Sequence, residues 1–219
     1  MKLRPMKFKP NKQQLLSLLP DFLVLTRGPR DGNALYLSFD DGPDPEHTPR
    51  LLDLLAQHNA KASFFLIGKQ VEKHPELVRR IVGEGHALGN HSYSHPPAFG
   101  KTTLQQQLAE IERTDQLLAT FDHRDRHRFR PPRGSFSLSL LLHFMRQRRC
   151  VAYWSYDSMD YRHWPDDEVI ARLRAQPPRA GELVLMHDDD ACAARVLATM
   201  LPEWNKAGRS LRMLPPEAA

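Results

Sequence analysis

Four short apolar runs limit what this chain can fold into. Leu35–Phe39, Ala62–Ile67, Val151–Ser155 and Glu182–Met186 have the length of strands and read as covered on both faces. Stretches of helical spacing separate them. Leu51, Leu52, Leu54 and Leu55 follow a Thr48-Pro49 helix start, and Leu77, Val78, Ile81 and Val82 follow His74-Pro75. Leu104, Leu108, Ile111 and Leu118 follow a threonine cap at 102 or 103. Residues 137–148 are helical, Asp166 caps a helix carrying Val169, Ile170 and Leu173, and Val196 to Trp204 mark the last helix. Briefer strands at 86–90, 128–131 and 210–214 bring the total to about seven, alternating with helices. Alternating β and α segments predict an α/β fold on a parallel sheet, open or closed.

The polar residues of interest fall where strands end. Leu35–Phe39 stops at Asp40-Asp41-Gly42-Pro43, a carboxylate pair on a turning strand end. Neighbouring carboxylates at the top of a core strand repel and lose hydration, and a bound cation compensates them. The competing reading is a solvated turn. His91 and His95 stand four apart, so one helical turn would align them. Zinc enzymes use that spacing in H-E-x-x-H, but Ser92 occupies the place of the glutamate. With 11 histidines in the chain, such a pair also arises by chance. Together with Asp40-Asp41 it outlines a site of two histidines and one aspartate, with a position open to water. Arg130, Asp157, Asp160 and His187 also end strands, at the rim where barrel enzymes keep their sites.

A chain of 219 residues, 41% hydrophobic and 26% charged, suits one globular domain. Its net charge of +5 comes without interleaved aromatics, so nucleic acid is not expected as a partner. Cys150 and Cys192 are too few and too isolated for a disulfide framework or a thiolate zinc site. Residues 1–30 form a basic amphipathic segment ahead of a single domain at 31–219. Leu15 to Leu19 and Phe22 to Leu25 imitate a signal peptide, but Pro20-Asp21 interrupts them and no small-x-small cleavage site follows. The segment is expected to pack on the domain, or else to make a peripheral contact with an anionic membrane surface. The corresponding location is cytoplasmic or peripheral to the inner membrane.

Five motifs in order then resemble the polysaccharide deacetylase family (NodB-type, carbohydrate esterase family four): Ser38-Phe-Asp40-Asp41-Gly42, His91-Ser-Tyr-Ser-His95, Arg130-Pro-Pro-Arg133-Gly134, Asp157-Ser-Met-Asp160-Tyr161 and Leu185-Met186-His187. The resemblance covers about Ala34 to Asp188 and implies a distorted (β/α)7 barrel. It implies that Asp41, His91 and His95 hold one divalent metal, usually zinc, at a site that would also accept cobalt, nickel or manganese. It makes Asp40 the general base, His187 the general acid, Arg130 the partner of Asp40 and Asp160 that of His187. Leu185 would line the pocket for the acetyl methyl, and a backbone N–H near Arg133 would hold the oxyanion.

The implied reaction removes an N-acetyl group from an amino sugar of a polysaccharide, oligosaccharide or glycolipid. Two positions depart from the family pattern. Arg133 replaces an aromatic and Tyr161 replaces a tryptophan, which alters the sugar groove more than the chemistry. Arg133 is expected to pair with Asp188, Asp189 or Asp190, or to meet an anionic substrate group. Trp164 is the candidate for the missing aromatic wall, and Asp188–Asp190 are expected to cap the last helix. The alternatives are a lapsed carbohydrate-binding protein, an amidase of another acyl group on a sugar lipid, and a two-metal phosphoesterase. Oligomeric state is open.

Overall fold

The computed structural model describes residues 12–30 and 32–217. The basic stretch at 1–11, part of the expected amphipathic segment, lies outside them. In chain order the elements are α1 (Lys12–Leu16), β1 (Val24–Leu25), β2 (Ala34–Asp40), α2 (His47–Gln57), β3 (Ser63–Leu66), α3 (Gly68–Lys73), α4 (Pro75–Gly83), β4 (Ala87–Asn90), α5 (Leu104–Asp122), β5 (Arg128–Phe129), α6 (Leu138–Arg146), β6 (Val151–Ala152), β7 (Tyr156–Asp157), α7 (Asp166–Ala175), β8 (Leu183–His187), α8 (Cys192–Lys206) and β9 (Ser210–Arg212).

The nine strands among the described residues all pair in parallel, in the order β1-β6-β5-β4-β3-β2-β8-β7, with β9 added beside β2. The sheet curls into an incomplete barrel, because its end strands β1 and β7 do not pair among the described residues. The expected alternation and parallel sheet are present. Two of the nine strands, β1 and β7, had not been anticipated as separate elements.

Side-chain alternation sorts β2 cleanly, as the pleat requires. Leu35, Leu37 and Phe39 face outward into the main core with Leu51, Leu52 and Leu55 of α2 and Val196, Leu197 and Leu201 of α8. Ala34 and Tyr36 face the barrel interior with Phe65 and Leu183. Ser38 and Asp40 continue that inner face. The same rule on β8 sends Val184 and Met186 outward and leaves Leu183, Leu185 and His187 inside. A second cluster, built from Ile111, Phe129, Leu140, Phe144 and Val151, fills the flank under α1, α5 and α6.

Local signals act largely as expected. Thr103 caps α5 in a reciprocal box with Gln106. Pro75 opens α4. Helix α2 instead begins at His47, because Asp44 Oδ1 accepts from the amides of Glu46 and His47. Thr48, the anticipated cap, is buried and turns its hydroxyl to Asp188. Gly89 marks a close approach: a Cβ there would lie 2.5 Å from the Phe65 ring. Cys150 and Cys192 are buried free thiols. Arg128 holds the carbonyls of Pro215 and Pro216, tying the end of the described chain to β5.

Candidate active site

A cavity of about 610 Å³ opens at the C-terminal ends of the strands. Asp40, Asp41, His91, His95, Arg133, Tyr161, Leu185 and His187 line it together. The structure therefore gathers the residues singled out from five separated motifs.

Asp40 ends the inner face of β2 and is almost fully buried. Arg130 is fully buried beneath it, with one guanidinium nitrogen 2.6 Å from Asp40 Oδ1 and 3.0 Å from Ser38 Oγ. The other terminal nitrogen donates to Tyr153 O at 3.1 Å, and the guanidinium lies 3.9 Å from the Phe65 ring centroid. The absence of a Cβ at Gly89 makes room for that ring. Burial raises the Asp40 pKa, and the Arg130 charge opposes the rise. The result is a carboxylate more basic than an exposed aspartate.

Asp41 follows the strand with φ +77, a left-handed turn that brings its carboxylate back to the site Asp40 faces. Its Oδ1 lies 3.4 Å from Nε2 of both His91 and His95. The three ligand atoms fall within 4.8 Å of one another. His91 donates from Nδ1 to Arg130 O at 2.8 Å, which leaves the Nε2 lone pair facing Asp41. Burial lowers the His91 pKa to about 3, so its imidazole is neutral at physiological pH. Asp41 Oδ1 is buried and accepts no hydrogen bond. A neutral imidazole with a free lone pair and a carboxylate oxygen without a donor fit a divalent cation.

His91 and His95 do not share a helix, contrary to the spacing argument. They stand on a loop in which Ser92 and His95 have positive φ, 66 and 49 respectively. Asn90 fixes its start, accepting from Ser92 N and donating to Ile111 O and Asp115 on α5. Glu110 of α5 accepts from the amide and hydroxyl of Ser94. The loop thus achieves by tertiary anchoring the convergence that a helical turn would have supplied.

His187 ends the inner face of β8 and is the register partner of Asp40 on β2. Its Nδ1 donates to Asp160 Oδ1 at 2.9 Å, and its amide donates to Asp160 Oδ2 at 2.7 Å. Ser158 Oγ and Tyr161 N also donate to Asp160, which fixes that carboxylate. Burial disfavours the charged imidazole, but Asp160, Asp40 and Asp41 outweigh it and lift the His187 pKa to about 10. Tyr161 packs edge-on against this ring at 5.4 Å. Leu185, one pleat below, is buried and floors the cavity.

Two expectations are corrected. Among the described residues Arg133 forms no ion pair; it sits exposed on the rim with φ +54. Its proposed partner Asp188 is buried, accepting from Thr48 Oγ1 at 2.6 Å, while Asp190 accepts from Cys192 N at the start of α8. Trp154, not Trp164, supplies the aromatic wall, stacked on Tyr153 at 3.9 Å. Asp157, His163, Asp189 and Asp190 also line the cavity, though no role had been assigned to them there. The parallel orientation of Tyr153-Trp154 after β6 is a tertiary feature without a local signal.

A parallel sheet curled into an incomplete barrel, with a carboxylate–imidazole pair and a candidate metal-holding triad at its C-terminal rim, is the architecture of a rim-sited hydrolase. The family model for polysaccharide deacetylase matches residues 27–145. A peptidoglycan-N-acetylglucosamine deacetylase of Bacillus cereus is 36% identical over 160 residues, covering 73% of this chain and 58% of that protein. A chitooligosaccharide deacetylase of Sinorhizobium fredii is 32% identical, covering 85% of this chain and 94% of its own length. A solved peptidoglycan N-acetylglucosamine deacetylase superposes with TM-score 0.80 at 32% identity, covering 87% of this chain and 90% of that one. The chain belongs to the polysaccharide deacetylase family, hydrolases of the carbon–nitrogen bond in N-acetylated sugars.

Proposed function

We propose that the chain removes the acetyl group from an N-acetylated amino sugar of a glycan, with Asp40 as general base and His187 as general acid. The observation that carries this reading is their convergence with Asp41, His91 and His95 in one cavity floored by Leu185. Peptidoglycan and chitooligosaccharides, acted on by relatives, are the substrate classes it favours.

Asp41, His91 and His95 would hold one divalent ion, with zinc the best match to two imidazoles and a carboxylate. Such an ion supplies an acidified water and polarises the amide carbonyl. Asp40 then accepts the proton of the attacking water, its basicity raised by burial and its position held by Arg130. His187, whose charged form is favoured by its bond to Asp160, delivers a proton to the departing nitrogen, so the amine leaves neutral. The hydrogen bonds of the turn at Pro132–Gly134 begin at Gly134 N, leaving the Arg133 amide outside them as the donor for the oxyanion. The Arg133 side chain and Tyr161 shape the groove, and the guanidinium, in no ion pair among the described residues, is offered to an anionic group of the glycan.

The test is acetate release from N-acetylglucosamine oligomers by zinc-loaded protein beside its Asp40→Asn variant. Release by the parent alone supports both the reaction and the base. Equal release by the variant removes Asp40 from that role. No release by the parent from these oligomers or from peptidoglycan overturns the substrate class.

A further inference from the structure

Helices α1 and α6 each bury one face and expose the other. Leu16, Leu19 and Leu23 pack into the cluster that also holds Leu140, Leu141 and Phe144. The strands these segments feed, β1 and β6, are paired side by side in parallel. Lys12, at the start of α1, donates to Gly134 O and lies over the Phe136 ring just ahead of α6. The two segments therefore cover one flank of the barrel together.

Their outer faces are apolar. Leu18 is 80% exposed, Leu138 70% and Phe22 65%, with Leu15, Leu142 and Met145 also exposed. On α6 these residues recur at 138, 142 and 145, one stripe of the helix. Large apolar side chains crowded in this way on two adjoining segments mark an interaction surface.

The charge around them selects the partner. Residues 134–149 contain no aspartate or glutamate. Arg146 and Arg148 are exposed, and among the described residues their side chains form no ion pair. Residues 12–30 contribute a single carboxylate, Asp21, and the sequence ahead of them adds Lys2, Arg4, Lys7 and Lys9 with none. A second copy of this face would bring cations against cations. Apolar side chains flanked by the exposed cations Arg146 and Arg148 instead complement a surface that is greasy inside and anionic outside.

We propose that the flank formed by α1, the turn after it and α6 docks on an anionic lipid bilayer. Leu15, Leu18, Phe22, Leu138, Leu142 and Met145 enter the interface, and Arg146 and Arg148 meet the phosphates. The docked flank is joined to the catalytic cavity: Lys12 holds Gly134, and Gln13 donates to Trp154 O at 3.1 Å, both residues being part of the cavity wall. The surface stands independently of which sugar is deacetylated.

The experiment is flotation of the full chain with vesicles of phosphatidylcholine alone, or of equal parts phosphatidylcholine and phosphatidylglycerol, at low and physiological salt. The parent should float with the anionic vesicles, more strongly at low salt, and stay behind with the neutral ones. Leu18→Asp/Leu138→Asp alters only exposed side chains and should lose at least tenfold in binding. Arg146→Gln/Arg148→Gln should lose on the order of tenfold and show a weaker salt dependence. No flotation with anionic vesicles at low salt overturns the proposal. So does unchanged flotation of the aspartate variant, or a dimer of the parent that the same variant dissolves.

Discussion

Asp40 and His187 are register partners on the adjacent parallel strands β2 and β8. Parallel pairing places them about one strand spacing apart, roughly 4.8 Å, with both side chains on the inner face. Their surroundings push them to opposite duties. Burial makes Asp40 a better base, and Asp160 keeps His187 protonated. A fold that pairs these strands in register sets the proposed base and the proposed acid side by side in one cavity.

Asp40→Asn removes the proposed base while leaving Asp41, His91 and His95 untouched. Turnover should fall by about 10²–10⁴-fold, the range that general base catalysis supplies. Zinc bound per chain, measured by elemental analysis, should stay at the parent level. Loss of zinc in parallel with activity would show that Asp40 is also a ligand.

Arg130→Met should destabilise the protein by about 3–5 kcal/mol, because it leaves the Asp40 carboxylate buried without its cation. The double variant Arg130→Met/Asp40→Asn should recover part of that loss, since the uncompensated charge is gone. Urea unfolding of the four proteins gives the coupling directly.

His187 provides a pH prediction. Its folded pKa, about 10, lies above the unfolded value near 6.5. Protonation therefore stabilises the fold. The contribution is fully present below pH 6.5 and is lost as pH rises through about 10. Asp160→Asn removes the main attraction, so its deficit against the parent should be at its full size just below pH 6.5 and shrink as pH rises toward 10. The imidazole resonances of the metal-free protein should titrate near pH 10 in the parent and well below that in the variant.

How far the sequence carries these arguments depends on where the determining contacts lie. Strands β2, β3 and β8 were legible because an apolar run covered on both faces has few alternatives. Strands β1 and β7, two residues each, have no period to detect, and α3 buries only Val71 among its larger apolar side chains. The site's residue types were legible through their motifs. The backbone that gathers them was not. His91 and His95 meet through left-handed Ser92 and His95 and through Asn90 and Glu110 contacts with α5, none of which a four-residue spacing encodes. Side-chain direction was equally hidden at the rim. Trp154 turns inward beside Tyr153, Trp164 lies against Arg162, and Arg133 stays clear of the acidic triplet expected to hold it.

The metal triad should show itself in stability as well as in binding. One zinc ion per chain should raise the unfolding temperature, by an amount equivalent to about 2.7 kcal/mol when free zinc is a hundredfold above Kd. Asp41→Ala removes the oxygen that faces both imidazoles and should abolish the shift. Thermal scans with and without chelator, repeated with cobalt, nickel and manganese, rank the ions.

Asp188 makes the last case, because its burial serves the turn that carries Asp41. Gly42 passes so close that a Cβ there would lie 2.3 Å from the Asp188 carboxylate. Thr48 is the hydroxyl donor to this carboxylate, and its Oδ1 accepts no hydrogen bond. Burial, with Asp189, Asp41 and Asp40 nearby, raises its pKa to about 7. The folded value exceeds the unfolded one, so the protonated acid stabilises the fold. That contribution is complete below about pH 4 and is lost as pH rises through about 7. Asp188→Asn keeps an acceptor for Thr48 and never charges. Metal-free parent should therefore lose stability relative to this variant between pH 4 and 7, and urea unfolding across that range measures the crossover. Gly42→Ala should cost about 1–3 kcal/mol at every pH, because its clash is steric.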